Sequence, residues 1–208
     1  MIELKEIKNI IFDLGGVIIN LNPPSSILAF QELLKDTYSE MEKELHLKEV
    51  LDKFEIGEIS SEDFISFFKV YNPKLIDQEI IDAWNRMLLD IPEERLNLIE
   101  SLTNNYRVFL LSNTNEIHLK FIDKYVNLNF QMNSISAPFE KAYYSHLMGL
   151  RKPNPKIFET IIEDKNLLPS QTLFIDDSEQ HILIAKKLNL KTHHLLESET
   201  ILDIFNVN

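Results

Sequence analysis

The sequence predicts an α/β fold in which a parallel sheet is interrupted by a block of helices. Apolar runs at Ile10–Phe12, Tyr106–Leu111 and Thr172–Ile175 each end in polar or acidic residues, as strands covered on both faces do. Amphipathic stretches separate these runs, which implies parallel pairing through right-handed crossovers. Between the first two runs, residues 23–89 carry helix-capping signals and hardly a β-branched run. The expected organisation is therefore a core of residues 1–20 and 90–208 with a helical insert at 21–89.

Taken in order, Ile10, Ile11 and Phe12 open the first strand, and Val17, Ile18 and Ile19 are expected to resume it beyond Asp13 and the Gly15–Gly16 pair. In the insert, Ser39 with Glu42 and Ser60 with Asp63 stand at capping-box spacing, and Gly57 falls where one helix should stop. Phe64, Phe67, Phe68 and Tyr71 recur at helical spacing and predict a packing face. After a break at residues 90–92, Glu93 starts an acid-led helix. The second strand ends in Ser112, Asn113, Thr114 and Asn115, and a helix is expected from Glu116 to Tyr125. Residues 127–138 carry no clear pattern. A weak strand at 141–145 leads into an expected loop at 146–155, where Gly149, Pro153 and Pro155 break regular structure. Asn154 predicts an N-cap with Pro155 at the first helical position. The third strong strand ends in Asp176 and Asp177, and Ser178 is placed to cap the helix that follows. A short strand at 192–195 and a terminal helix to about Phe205 complete the pattern.

Composition limits the function. A net charge of -12 opposes nucleic acids and anionic membranes as general partners. With no cysteine, disulfides, thiolate metal sites and cysteine catalysis are excluded. Residues 1–9 lack an apolar signal core, and no run approaches the roughly 18 residues that span a bilayer. The default compartment is the cytoplasm, and a monomer is the expected state, with a dimer as the alternative.

The predicted strand ends bring together residues suited to phosphoryl transfer. Asp13 sits at the carboxyl end of the first strand, where an open α/β sheet presents reactive groups, and is the candidate nucleophile. A carboxylate attacking a phosphate must overcome charge repulsion, for which a divalent cation and a positive side chain are the usual remedies. Asp13 and Asp177 could hold Mg²⁺ with oxygen ligands, and Lys152 could neutralise the phosphoryl group. The Ser112 hydroxyl and the amides of Asn113 and Gly15 could bind its oxygens. Each residue has a bland reading as a turn, cap or surface group. Caps do not explain a lysine loop lying between the second and the last of these clusters.

The stretches IIFDLGGVI, FLLSNTN, GLRKPNP and LFIDDSEQ, in that order, resemble the four motifs of the haloacid dehalogenase-like (HAD) superfamily of hydrolases. The resemblance covers nearly the whole chain. It implies a Rossmann-like core and makes residues 21–89 an inserted helical-bundle cap that closes over the substrate. It further implies that Asp13 forms an aspartyl-phosphate, that Ser112 binds phosphate and that Lys152 stabilises both phosphate and nucleophile. Asp177 would ligate Mg²⁺, and Asp176 would bind or orient a metal water. GLRKPNPKIF resembles a subgroup of bacterial sugar-phosphate phosphatases that act on glucose-1-phosphate.

One position departs from the superfamily's pattern. Its phosphatases generally carry a proton-shuttling aspartate two residues after the nucleophile, and here that residue is Gly15. The Gly15 carbonyl could still face the metal, but the proton shuttle is lost. The resembled subgroup also has glycine there. His118 and His146 are nearest by motif, although packing roles are expected for both, and Phe54, Glu55 and Trp84 are insert residues that could reach a substrate. The leading expectation is a Mg²⁺-dependent phosphatase of a small phosphorylated metabolite, with sugar phosphates one candidate class. The alternatives are a catalytically impaired metabolite- or protein-binding module and, ranked lower, a 2-haloacid dehalogenase. Dehalogenases of this superfamily hold no metal and usually lack the paired acids found here at 176 and 177.

Overall fold

Alternate residues of a strand face opposite ways, and in this chain both directions are apolar. A computed structural model describes residues 4–43 and 45–205. Its strands are β1 (Asn9–Phe12), β2 (Arg107–Ser112), β3 (Lys141–Tyr144), β4 (Thr172–Asp176) and β5 (Lys191–His194). They form one sheet in the order β3-β2-β1-β4-β5, with every neighbouring pair parallel. Ile10, Phe12, Leu110 and Ile175 enter the hydrophobic cluster on one face. Ile11, Phe109, Leu111 and Phe174 enter the cluster on the other. Burial of such side chains contributes about 1.5–3 kcal/mol each, so the sheet is fixed from both sides.

The insert comprises α1 (Pro23–Leu34), α2 (Tyr38–Lys43), α3 (Leu45–Glu55), α4 (Ser61–Tyr71) and α5 (Asp77–Asn85). The expected capping box is present at α4, where Ser60 accepts from the Asp63 N–H and the Asp63 side chain accepts from the Ser60 N–H. Gly57 sits at φ +73, beyond the end of α3, with no room for a side chain: a Cβ there would lie 2.1 Å from the His146 carbonyl. The aromatic stripe of α4 is a packing face, with Phe64 and Phe68 buried and Phe68 stacked on Phe30 at 4.3 Å. These helices form their own hydrophobic cluster, which Ile117 joins from outside the insert.

The remaining helices are α6 (Glu93–Leu102), α7 (Glu116–Phe130), α8 (Ser145–Met148), α9 (Pro155–Lys165), α10 (Glu179–Lys187) and α11 (Ile201–Ile204). Asn154 caps α9 by accepting from the Lys156 N–H, with Pro155 in its first turn.

Five expectations need correction. Val17–Ile19 does not continue β1: Gly16 turns the chain at φ +71, and the N–H groups of Ile18 and Ile19 both donate to the Leu14 carbonyl. The three apolar side chains still enter the core, which is why the sequence mimics a strand. Ser39 is no cap, because a 3₁₀ turn at Lys35–Thr37 leads directly into α2 and leaves Ser39 inside it. α7 runs on to Phe130, where Gln131 ends it in the left-handed region, and the expected loop at 146–155 opens with helix α8. Ser178 holds the N-cap position of α10 without a side-chain cap bond; its N–H donates to Asp176 instead.

Candidate active site

The register of the sheet brings the predicted residues together. Phe12 pairs with Leu110 on one side and Ile175 on the other. Asp13, at the end of β1, therefore stands beside Asp176, the last residue of β4. Its N–H donates to the Ile175 carbonyl at 2.9 Å. Ser112 ends β2, the other neighbour of β1. This is the carboxyl edge of the sheet at its central strand, where open α/β sheets form their ligand crevice.

Lys152 enters from the segment between α8 and α9, and Asn113 grips its backbone. The Asn113 side chain accepts the Lys152 N–H at 2.8 Å and donates to the Lys152 carbonyl at 2.9 Å. That amide is therefore spent on positioning the lysine, which leaves the Asn113 backbone N–H for any ligand. The Lys152 ammonium donates to Asp13 Oδ1 at 2.7 Å, Asp176 Oδ2 at 2.7 Å and the Leu111 carbonyl at 3.0 Å. Its three protons are thereby used.

Lys152 and Asp176 are fully buried, and the Asp13 side chain is 10% exposed. Burial disfavours the charged lysine, but the two carboxylates outweigh it and raise its pKa, so the ammonium is retained. Burial raises the Asp13 pKa against the pull of Lys152. Asp176 faces the same burial, yet Lys152 and His181 together hold its carboxyl below the usual range. His181 Nδ1 lies 2.9 and 3.0 Å from the two Asp176 oxygens, and the Ser178 N–H donates to Oδ1 at 2.8 Å.

Asp13, Asp176 and Asp177 each offer a carboxylate oxygen, all within 4.8 Å of one another. An all-oxygen set of this charge fits a hard divalent cation such as Mg²⁺. Asp177 approaches so closely because of Gly16, where a Cβ would lie 2.1 Å from Asp177 Oδ2. At Gly15 a Cβ would meet Leu21 Cδ1 at 2.6 Å. The space in which an acid at 15 would begin is thus held by an apolar side chain.

A cavity of about 320 Å³ lies over these strand ends. Gly15, Ser112 and Arg151 line it from the sheet side, and Lys48, Glu55 and Trp84 from the insert. Phe54 does not reach it, being buried and stacked on Phe64 at 4.2 Å. His118 also lines it, but its ring is engaged on every side. The ring stacks on Trp84 at 4.8 Å, Nε2 faces the Trp84 carbonyl at 3.1 Å and Nδ1 faces the Asn115 side-chain amide at 3.2 Å. Burial pushes its pKa down to about 4. His146 Nδ1 is paired with the Thr114 carbonyl at 3.1 Å.

Sequence reasoning assigned no role to Arg151, Asp52, Ser145 or His181. Arg151 pairs with Asp52, and its Nε lies 2.7 Å from Glu55 Oε2. The Ser145 hydroxyl, fully buried, accepts the Thr114 N–H at 2.9 Å and donates to the Glu55 carbonyl at 2.6 Å. The one local signal for Arg151 was its place directly before Lys152.

A parallel α/β sheet with a carboxylate cluster and an embedded lysine at its carboxyl edge defines the class as a Rossmann-like hydrolase of the haloacid dehalogenase type. The family model for haloacid dehalogenase-like hydrolases matches residues 10–194, and the chain belongs to that family. It is 31% identical over 188 residues to D-ribitol-5-phosphate phosphatase of Bacteroides thetaiotaomicron, covering 89% of this chain and 90% of that one. A HAD family enzyme of the same organism, solved with magnesium and inorganic phosphate, superposes with a TM-score of 0.83 at 35% identity over 96% of this chain and 99% of the other. A HAD-like hydrolase of Porphyromonas gingivalis gives a TM-score of 0.84 at 35% identity, covering 97% and 98%.

Proposed function

We propose that this protein is a Mg²⁺-dependent phosphatase that hydrolyses a small phosphorylated metabolite through an aspartyl-phosphate on Asp13. The observation that carries the reading is Lys152, held 2.7 Å from both Asp13 and Asp176 beneath the cavity lined by Ser112. Asp13, Asp177 and the Gly15 carbonyl would hold the cation, with Asp176 orienting Lys152 and a metal-bound water. When bound, Mg²⁺ supplies charge that offsets the repulsion between an anionic nucleophile and a phosphate. Asp13 attacks phosphorus, Lys152 neutralises charge on the phosphoryl oxygens, and Ser112 with the backbone N–H groups of Gly15 and Asn113 orients them.

Residues 21–89 act as the cap over a core of 1–20 and 90–208, a reading supported by their separate hydrophobic cluster and their share of the cavity wall. The relative that acts on D-ribitol-5-phosphate supports a sugar or sugar-alcohol phosphate as substrate. The protein is read as a cytoplasmic monomer. Likeness to solved L-2-haloacid dehalogenases, at 14–17% identity, speaks to fold alone.

The test is a panel of sugar and polyol phosphates assayed with Mg²⁺ and with chelator. Phosphate release should require Mg²⁺ and fall to background in Asp13→Asn. Turnover that survives this substitution would remove Asp13 as nucleophile. Ligand-dependent thermal stabilisation without phosphate release would favour the binding-module alternative.

A further inference from the structure

We propose that Glu55, at the end of α3, is the proton donor and acceptor that stands in for the acid missing at Gly15. The proposal rests on the aspartyl-phosphate reading above. Loss of a P–O bond to an alcohol needs a proton at the leaving oxygen, and the later attack of water needs a base. Gly15 supplies neither, and Leu21 fills the space beside it. Both ring nitrogens of His118 are already paired with protein groups, and His146, with Nδ1 on the Thr114 carbonyl, does not line the cavity.

Two carboxylates of the insert remain on the cavity wall, Asp52 and Glu55. They differ in placement. Asp52 is bonded to Lys48 at 2.5 Å and to Arg151, and the Lys48 bond, with help from Arg151, keeps its pKa below the ordinary carboxylate range. Glu55 is pinned to the sheet side of the molecule by Ser145 through its backbone and by Arg151 through its side chain. Burial raises its pKa, and the repulsion of Asp52 adds to this, while Arg151, Lys152 and His181 oppose it. Glu55 lines the same cavity as Gly15 and Ser112, which puts its carboxyl on the wall facing the strand ends. Paired acids with environments that push their pKa values apart are how a site divides acid and base duties.

In the first step an Asp13 oxygen bonds to phosphorus and the ester P–O bond breaks. The departing oxygen keeps the electron pair and takes the Glu55 proton, leaving as the alcohol. In the second step the Glu55 carboxylate takes a proton from water as the water oxygen attacks phosphorus. The bond to Asp13 breaks, its electrons return to the Asp13 carboxylate, and phosphate departs with Glu55 reprotonated.

The experiment compares glycerol phosphate, whose alkoxide must be protonated, with p-nitrophenyl phosphate, whose phenolate leaves unaided. In Glu55→Gln, glycerol phosphate turnover should fall about 100-fold or more. The first turnover of p-nitrophenyl phosphate should persist as a burst of one phenolate per enzyme, followed by slow release of phosphate. Glu55→Asp should recover part of the glycerol phosphate rate, and Asp52→Asn should affect both substrates alike. Equal loss of the first turnover for both substrates in Glu55→Gln, or no loss for either, overturns the proposal. Wild-type protein without turnover, or a burst that survives Asp13→Asn, would instead defeat the aspartyl-phosphate reading on which it rests.

Discussion

At the strand ends the Lys152 and Asp176 side chains are fully buried, whereas across the cavity Lys48 is 82% exposed and Asp52 38% exposed. Both clusters consist of cations between carboxylates, yet their energetics differ. A buried ion pair that loses one partner strands the other charge, while an exposed pair contributes little and rearranges freely. The sheet edge therefore suits chemistry that needs fixed positions, and the insert suits contacts that differ between substrates.

Lys152→Met tests the contrast most severely, since it leaves Asp13 and Asp176 facing each other without a cation. Metal-free protein should lose about 3–5 kcal/mol of stability in urea unfolding, and phosphate release should fall to background. Mg²⁺ should restore part of the stability and none of the activity.

His118 gives a pH dependence of intermediate size. Its pKa falls from 6.5 when unfolded to about 4 when folded, because burial opposes the charge. The unfolded chain therefore binds a proton that the native state refuses, and the stabilising contribution present near neutral pH is lost as pH drops below 6.5, levelling off under about 4. Between pH 7 and 5 this amounts to about 2 kcal/mol. Unfolding midpoints at the two pH values should separate less in His118→Gln than in wild type.

The smallest effect sharpens the link between the two clusters. Ser145→Ala removes the hydroxyl that joins the Thr114 N–H to the Glu55 carbonyl, and should cost about 1–2 kcal/mol in unfolding. Retention of wild-type stability would show that this hydroxyl does not help to hold the insert, leaving the task to Ile117, the Trp84–His118 contact and the Arg151 pairs.

What could be read from the sequence was the chemistry of short segments. Asn154 before Pro155, and Ser60 three residues before Asp63, announce helix starts because the bonds involved span a single turn. Asp13, Ser112 and Asp176 were legible because each closes a continuous apolar run, a pattern expected of buried strands, whose ends share an edge. Val17–Ile19 misled for the same reason, since burial rather than extension is what an apolar run reports. The Arg151–Asp52 pair joins residues 99 positions apart, and nothing local marks charged residues that meet across a cavity. Lys152 was legible as a cation in a loop between the second and last polar clusters, whereas the grip of the Asn113 side chain on the Lys152 backbone joins residues 39 positions apart and left no local sign.

The contact at Gly15 bears on how such a site changes over time. Leu21 Cδ1 lies 2.6 Å from where a Cβ would stand, so an aspartate cannot enter at 15 until residue 21 gives way. Cδ1 is the far end of a flexible side chain, so a rotation of Leu21 admits a Cβ at 15, and a single substitution is enough to bring a carboxylate to the cavity wall beside Ser112.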